Sequence, residues 1–175
     1  GFLGPNGAGK TTTVRILTSL IGPTSGLAKV AGFVVGQQDT DIRRHVGILT
    51  ETPGMYDNLS AETNLRIFAE LYEVKDAKGQ IEKYLKMLGL WNRRLDAAGT
   101  FSKGMKQKLA LSCALIHKPS VLFLDEPTTG VDAVSRKEFW DMLGNLKRQG
   151  ITILVSTPYL DEASLCAVSY THLRA

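Results

Sequence analysis

The segment GPNGAGKT, residues 4–11, decides the fold of this chain. A short apolar stretch precedes it and an amphipathic pattern follows it, which together predict a strand, a glycine-rich turn and a helix. The apolar residues at helical spacing are Val14, Leu17, Leu20 and Ile21, and Gly22 and Pro23 are expected to end the helix. Such a turn directs several backbone N–H groups, and the positive end of the helix, toward one anion.

The side chains of this segment suit a phosphate ligand. The pattern G-x-x-x-x-G-K-[ST] is typical of loops whose lysine reaches the outer phosphates and whose hydroxyl residue holds Mg²⁺, and Lys10 and Thr11 take these two places here. The predicted nucleotide-binding residues are Gly4, Pro5, Asn6, Gly7, Ala8, Gly9, Lys10, Thr11 and Thr12. The alternative is a glycine-rich turn with a merely solvated lysine, but the position between a strand and a helix favours phosphate binding.

A second segment, SVLFLDEPTTGVD at residues 120–132, places two acids at the end of a predicted buried strand, residues 121–124. Burying ionised carboxylates is unfavourable unless a positive charge compensates them, and a phosphate loop with Mg²⁺ would supply that charge. We therefore predict that Asp125 faces the metal. Glu126, one residue further along an extended chain, is predicted to point elsewhere and to orient an attacking water. The alternative is that one of the two acids merely caps a loop.

Strands and helices alternate along most of the chain. Apolar runs predict strands at residues 1–3, 45–51, 121–124 and 151–156. This alternation predicts an α/β fold with a parallel sheet. Residues 53–115 interrupt it with a pattern typical of three helices, the first capped by Ser60, and Asp132 is the expected cap of a later helix.

The composition excludes several classes of protein. The chain has 175 residues, of which 43% are hydrophobic and 22% charged, as expected for one folded domain or one domain with an insertion. Its net charge of +4 is mild and scattered, so we expect no nucleic-acid partner. No apolar run approaches the roughly 20 residues that span a bilayer, so any membrane role is expected to act through a partner. Cys113 and Cys166, which form no CxxC motif, favour a reducing compartment.

Four segments follow one another in a characteristic order: GPNGAGKTTT (4–13), TETPGMYDNLSAETN (50–64), FSKGMKQKLALSCALIHKPSVLFLDEPTTGVD (101–132) and ILVSTPYLDEA (153–163). In order and spacing they resemble the ATP-binding subunit of ATP-binding-cassette (ABC) transporters. The resemblance covers about residues 1–166. It implies a P-loop NTPase fold with a RecA-like core at 1–52 and 116–166, incomplete at its N-terminus, and a helical subdomain at 53–115. Residues 167–175 are then expected to be a non-native tail, with an ordinary frayed terminus as the alternative.

The resemblance also implies a dimeric ATP site. Residues 101–105, FSKGM, take the place of the signature motif, and Ser102 and Gly104 would bind the γ-phosphate of ATP held by a neighbouring cassette. Asp132 ends the segment that resembles the D-loop, which crosses such a dimer interface. The implied cofactors are ATP and Mg²⁺. The implied partners are a second cassette, as a homodimer or a fused tandem, and a membrane permease that docks near Met55 and Tyr56.

Two positions depart from the family pattern. Glu51 stands where a glutamine is usual, and its carboxylate is still expected to bind Mg²⁺ through water. Pro158 stands where the family usually has the switch histidine that donates to the γ-phosphate. Proline has no N–H and no polar side chain, so we expect the site of this chain to bind ATP and to turn it over slowly.

The implied function is that of a motor subunit on the inner face of the cell membrane, which hydrolyses ATP to power export through the permease. A soluble ABC-type ATPase of DNA repair or of the ribosome is one alternative, but no heptads fill the stretch between Thr11 and Phe101 and no basic linker is present. A degenerate cassette that senses nucleotide without hydrolysing it is the other. Pro158 is consistent with such a sensor, whereas the intact Lys10 and Glu126 argue against it.

Overall fold

The computed structural model describes residues 1–50 and 54–171. In chain order the elements are β1 (Phe2–Leu3), α1 (Lys10–Leu17), β2 (Lys29–Val30), β3 (Phe33–Val34), α2 (Asp39–His45), β4 (Val46–Leu49), α3 (Ala61–Leu71), α4 (Ala77–Met87), α5 (Lys103–Leu115), β5 (Val121–Asp125), α6 (Ala133–Arg148), β6 (Thr152–Thr157), α7 (Leu160–Ser164) and β7 (Tyr170–Thr171). Short 3₁₀ turns lie at Trp91–Arg93 and Ala98–Thr100.

The described residues form two compact units. The first is drawn from Gly1–Glu51, Ser120–Pro127 and Ile151–Ala175, and the second from Thr52–Pro119 and Thr128–Gly150. Residues 128–150, which contain α6, thus belong to the helical unit. The sequence instead predicted them to be part of the core that contains the sheet. Close packing of α6 on α5 accounts for this, because a Cβ added at Gly104 would lie 2.8 Å from Ser135. The RecA-like core at 1–52 and 116–166 and the helical subdomain at 53–115 stay a prediction.

The first unit is built on a five-stranded sheet in the order β4-β5-β6-β1-β7, and every pairing in it is parallel. The predicted parallel sheet is therefore confirmed. The central strands are apolar on both faces, and Leu122 and Leu124 are fully buried. Because parallel strands end at one edge, the loop after β1 and the acids at the end of β5 lie at the same edge, with β6 between these two strands.

Helix α1 is held on the sheet by an apolar cluster. Val14 of α1 packs in it with residues from the neighbouring elements, namely Val30, Val35, Ile42, Val46 and Phe123. Full burial of side chains of this size stabilises a fold by about 1.5–3 kcal/mol each. This burial fixes the start of α1, and with it the position of Lys10.

The first unit differs from the sequence prediction at three places. Helix α1 ends at Leu17 because Ser19 turns the chain in a left-handed conformation (φ 57°), and Leu20 and Ile21 are exposed rather than buried on the helix. Helix α2 was not predicted, since it buries only Ile42 and shows no apolar period. Strand β7 lies within the predicted tail and pairs with β1, and residues 172–175 lie outside the described residues.

The second unit is helical, and its helix ends carry the predicted caps. The Ser60 side chain accepts a hydrogen bond from Thr63 N at 3.1 Å, and Asp132 accepts one from Ser135 N at 2.9 Å. This bond lowers the pKa of the Asp132 carboxyl below its ordinary value. Helix α5 is buried along most of its length, with Leu109, Leu111 and Leu115 fully enclosed.

Within the described part of the chain, α6 is the longest helix, with 16 residues, and no helix is long and apolar enough to cross a membrane. Both cysteines are free thiols. Burial raises the pKa of the Cys113 thiol to about 12, so this thiol packs as a small apolar side chain in α5.

Candidate nucleotide and metal site

The loop between β1 and α1 has the backbone geometry of an anion site. Gly7 and Gly9 adopt positive φ angles of 82° and 89°, and no heavy atom lies within 4 Å of a Cβ built at either of them. Gly9 precedes the first turn of α1, which holds no acidic residue, and no side chain of the described residues caps that turn. The N–H groups of the turn and the positive end of the helix are thus available to an anion.

Lys10 is the first residue of α1 and is only 3% exposed. Its Nζ donates to Gly4 O at 2.7 Å and to Pro5 O at 3.0 Å, and it forms an ion pair with Glu126 Oε1 at 3.2 Å. An ammonium has three donors, so these acceptors satisfy it. A phosphate group that binds Lys10 would replace one or more of these three acceptors. Because Glu126 is one of them, phosphate binding at Lys10 would affect the position of the Glu126 carboxylate.

The two acids at the end of β5 are held by the neighbouring strand. Asp125 is 5% exposed, and its Oδ1 accepts a hydrogen bond from Ser156 Oγ. The sequence predicted an extended backbone at Glu126, and this prediction is wrong. The backbone there is left-handed, with a φ of 49°. This conformation costs roughly 1–2 kcal/mol for a residue other than glycine. It is held because Glu126 N donates to Ser156 O at 3.0 Å and to Ser156 Oγ at 3.3 Å.

The donor set at this edge of the sheet fits Mg²⁺. Asp125 offers a carboxylate and Thr11 an exposed hydroxyl, and both are hard oxygen ligands. The described residues contain no group of three or more His, Cys, Asp or Glu placed to hold a metal by themselves. Protein sites for Mg²⁺ commonly use one or two carboxylates together with phosphate oxygens, so this arrangement suits a metal bound with a nucleotide. Glu51, the third predicted ligand, lies outside the described residues.

Ser102 and Gly104 belong to the second unit, at the start of α5. Ser102 is exposed, and its Oγ accepts a hydrogen bond from Met105 N at 3.3 Å, as a helix cap does. Gly104 is buried, and a Cβ there would lie 2.8 Å from both Cβ and Oγ of Ser135. Close packing alone thus requires glycine at this position, in addition to any role in phosphate binding. The first turn of α5 contains no acidic residue.

Sequence reasoning missed a set of polar residues at the end of β6. Ser156 bonds to both acids, and the next residue, Thr157, donates to the buried Glu162 Oε2 at 2.6 Å and accepts from Tyr159 N at 3.1 Å. Both residues lie in the segment 153–163 that carries the family resemblance, but nothing in the sequence links Ser156 to the two acids. The parallel register, which pairs Asp125 with Ser156, is the signal that identifies them, and it requires the strand order.

Comparisons with known proteins extend this picture. A family model described as ABC transporter matches residues 1–129. The probable multidrug ABC transporter ATP-binding protein YbhF of Escherichia coli (strain K12) is 41% identical over 169 residues, which are 95% of this chain and 29% of that protein. The bacitracin transport ATP-binding protein BcrA of Bacillus licheniformis is 43% identical over 163 residues, 93% of this chain and 53% of that protein. The chain therefore spans under a third of YbhF and about half of BcrA.

A solved structure shares the fold. A dimeric ATP-binding cassette in a post-hydrolysis state, bound to ADP and Pi, gives a TM-score of 0.86 at 23% identity over 98% of this chain and 79% of that one. This likeness shows that the chain has the same fold, an α/β fold with a helical part. The residues matched by the family model include the phosphate loop and the paired acids at the end of β5. The chain therefore belongs to the ABC transporter family.

Proposed function

We propose that the protein binds and hydrolyses ATP as the motor subunit of an ABC exporter. The observation that carries this proposal is the contact between Lys10 of the phosphate loop and Glu126, next to the buried Asp125. One edge of the sheet thus holds Lys10 for the outer phosphates, Asp125 for the metal and Glu126 for the attacking water. Phosphoryl transfer requires little more of a protein than such positioning and charge.

In the proposed reaction, the loop residues Gly4 to Thr12 bind the triphosphate with backbone N–H groups, and Lys10 donates to its outer phosphates. Thr11 and Asp125 would hold Mg²⁺, with Glu51 as a further ligand through water. The metal would neutralise charge on the phosphate oxygens. Glu126, once its carboxylate leaves Lys10, orients the attacking water and accepts its proton.

We further propose that two cassettes share each ATP. Ser102 and Gly104 of one copy would contact the γ-phosphate bound by the loop of the other, and Asp132 would lie at the interface between copies. The positive end of α5 and its acid-free first turn support this, because they suit a negatively charged ligand. The dimeric state of the cassette that shares this fold is further support.

The proposed membrane partner is a permease that docks on the loop of Met55 and Tyr56, so that the subunit lies at the cytoplasmic face of the membrane. The Tyr56 ring is exposed, while the backbone of this residue is clamped by the fully buried Asn64, which accepts from Tyr56 N at 2.8 Å and donates to Tyr56 O at 3.0 Å. An exposed aromatic side chain on a fixed loop suits a docking surface. Antibiotics or other drugs are the cargo that we propose from the relatives.

Shared sites can be tested by combining two inactive variants. Lys10→Ala disables a phosphate loop and Ser102→Ala disables a signature segment. We expect each variant alone to be inactive, whereas a pair that contains one copy of each retains one intact site and hydrolyses ATP. The measurement is ATP hydrolysis by doubly tagged, co-purified full-length pairs with their permease. If the mixed pair is no more active than the Lys10→Ala pair, the arrangement in trans is wrong.

Turnover at this site is expected to be limited by Pro158, which follows β6 directly. Replacing it with histidine adds a donor for the γ-phosphate, and a single preorganised donor contributes about 10²–10³-fold in kcat. We expect Pro158→His to raise kcat of the assembled transporter by up to about that factor with little change in KM. Pro158→Ala, which adds no donor, is the control. Equal turnover of Pro158→His and wild type would show that the missing donor does not limit hydrolysis.

Pro158 also supports the second candidate function, a cassette that senses nucleotide without hydrolysing it. Separate measurements of ATP binding and ATP hydrolysis on the full-length protein with its permease distinguish the two. Binding without any hydrolysis favours the sensor, and slow hydrolysis that depends on Glu126 favours the motor.

A further inference from the structure

We propose that Ser156 is a positioning residue that orients both acids of the hydrolytic site. The proposal rests on the proposed function, since it assigns to Ser156 the placement of the metal ligand Asp125 and of Glu126. Ser156 is fully buried at the end of β6 and touches the two acids through three hydrogen bonds. It reaches both because the parallel register sets it beside Asp125.

The first bond fixes the carboxylate of Asp125. The terminal torsion of an aspartate is broad, so the side chain alone does not determine the direction of its oxygens. The hydroxyl of Ser156 donates to Oδ1 of Asp125 and selects one orientation. A buried carboxylate without this donor would lose a partner and gain rotational freedom. Hydrogen bonds of this kind orient metal-binding carboxylates in proteins and strengthen metal binding.

The other two bonds fix the backbone of Glu126. Its N–H is shared between the carbonyl and the hydroxyl of Ser156, at 3.0 Å and 3.3 Å. Residues other than glycine rarely adopt the φ of 49° found at Glu126. Such a conformation persists only where surrounding contacts enforce it. Ser156 provides these contacts, and the carboxylate of Glu126 thereby lies at Lys10.

Ser156 is itself held by the polar residues that follow it. Thr157 donates to Glu162, which is only 2% exposed, and accepts from the backbone of Tyr159. These bonds fix the chain directly after Ser156. The end of β6 is therefore a rigid support for the acids rather than a loop that follows them.

One substitution distinguishes the two roles of Ser156, which are to orient the carboxylate of Asp125 and to hold the backbone of Glu126. Ser156→Ala removes the hydroxyl, and with it the bond to Asp125 and the longer of the two bonds from Glu126 N, but it keeps the carbonyl that accepts from Glu126 N at 3.0 Å. We therefore expect this variant to weaken metal binding more than it disturbs Glu126. Partners of this type change metal affinity by about 10–100-fold when they are removed.

The test is the affinity of the full-length protein for Mn²⁺ as a probe for Mg²⁺, measured by electron paramagnetic resonance in the presence of ADP. ADP binding in EDTA is measured separately. We expect Ser156→Ala to weaken Mn²⁺ binding by about 10–100-fold and to leave metal-free ADP binding unchanged. Ser156→Thr, which retains a hydroxyl, should restore Mn²⁺ affinity. Should threonine fail to fold in this fully buried position, Ser156→Cys, a weak donor of similar size, should give an intermediate affinity.

The matched control is Ser112→Ala. Ser112 is also fully buried, but its hydroxyl donates to Lys108 O within α5. This control should leave Mn²⁺ affinity unchanged. Wild-type Mn²⁺ affinity in Ser156→Ala, or equal losses in both variants, would overturn the positioning role. Failure of the wild-type protein to bind nucleotide with or without metal would instead overturn the proposed function, and the inference with it.

Discussion

Replacing Lys10 with alanine is expected to weaken the binding of MgATP to the full-length protein by about 10²-fold or more, since hydrogen bonds to charged groups contribute about 1.5–3 kcal/mol each. The ammonium forms an ion pair with Glu126. Its loss removes the donor to the outer phosphates, and it also removes the two bonds that tie Lys10 to Gly4 O and Pro5 O. Both effects act on the same loop, so we expect binding and not only hydrolysis to fail.

Equilibrium binding by calorimetry measures this loss, and thermal unfolding shows whether the variant is folded. Lys29→Ala is the matched control, because Lys29 is an exposed lysine of β2 in the same unit. We expect the control to bind MgATP as the wild type does. A Lys10→Ala protein with wild-type affinity would mean that the glycine-rich segment is only a turn, and the proposed function would not survive that result.

The parts of the site that the sequence predicted are those encoded by neighbouring residues. The predicted phosphate loop is one continuous segment, and the role of each glycine, lysine and hydroxyl residue follows from its place within that segment. The caps Ser60 and Asp132 likewise depend on a backbone N–H three residues away, so their bonds were predictable. The strand ending in Asp125 was recognisable from its apolar run followed by acids.

Features that depend on strand order were not predictable. Nothing in the sequence links Ser156 to the two acids, and it reaches them only because β6 lies beside β5 in parallel register. The left-handed turn at Glu126 is also a tertiary effect, since the carbonyl and the hydroxyl that accept from Glu126 N both belong to Ser156 of the neighbouring strand. The exposed Leu20 and Ile21 continue a helical period in the sequence, but the backbone turns at Ser19 and ends the helix first.

Replacing Glu126 with glutamine is expected to separate ATP binding from ATP hydrolysis. Glutamine has nearly the shape of glutamate and keeps the backbone bonds to Ser156, but it cannot accept a proton from water. General-base catalysis contributes about 10²–10⁴-fold to a rate, so we expect hydrolysis to fall by about that factor. The variant also replaces the ion pair with Lys10 by a neutral contact. Phosphate groups then compete with a weaker partner for Lys10, and MgATP should bind as tightly as in wild type or more tightly.

Hydrolysis by the transporter reconstituted with its permease, together with equilibrium binding of MgATP, measures the two effects separately. Asp161→Asn is the control, because Asp161 is an exposed carboxylate of α7 in the same unit, and we expect it to change neither quantity. A Glu126→Gln protein that hydrolyses ATP at the wild-type rate would exclude Glu126 as the base. A Glu126→Gln protein that fails to bind MgATP would show instead that Glu126 is needed to hold the loop in its binding conformation. Lys10 and Glu126 would then both favour nucleotide binding, and Glu126 would not compete with the phosphates for Lys10.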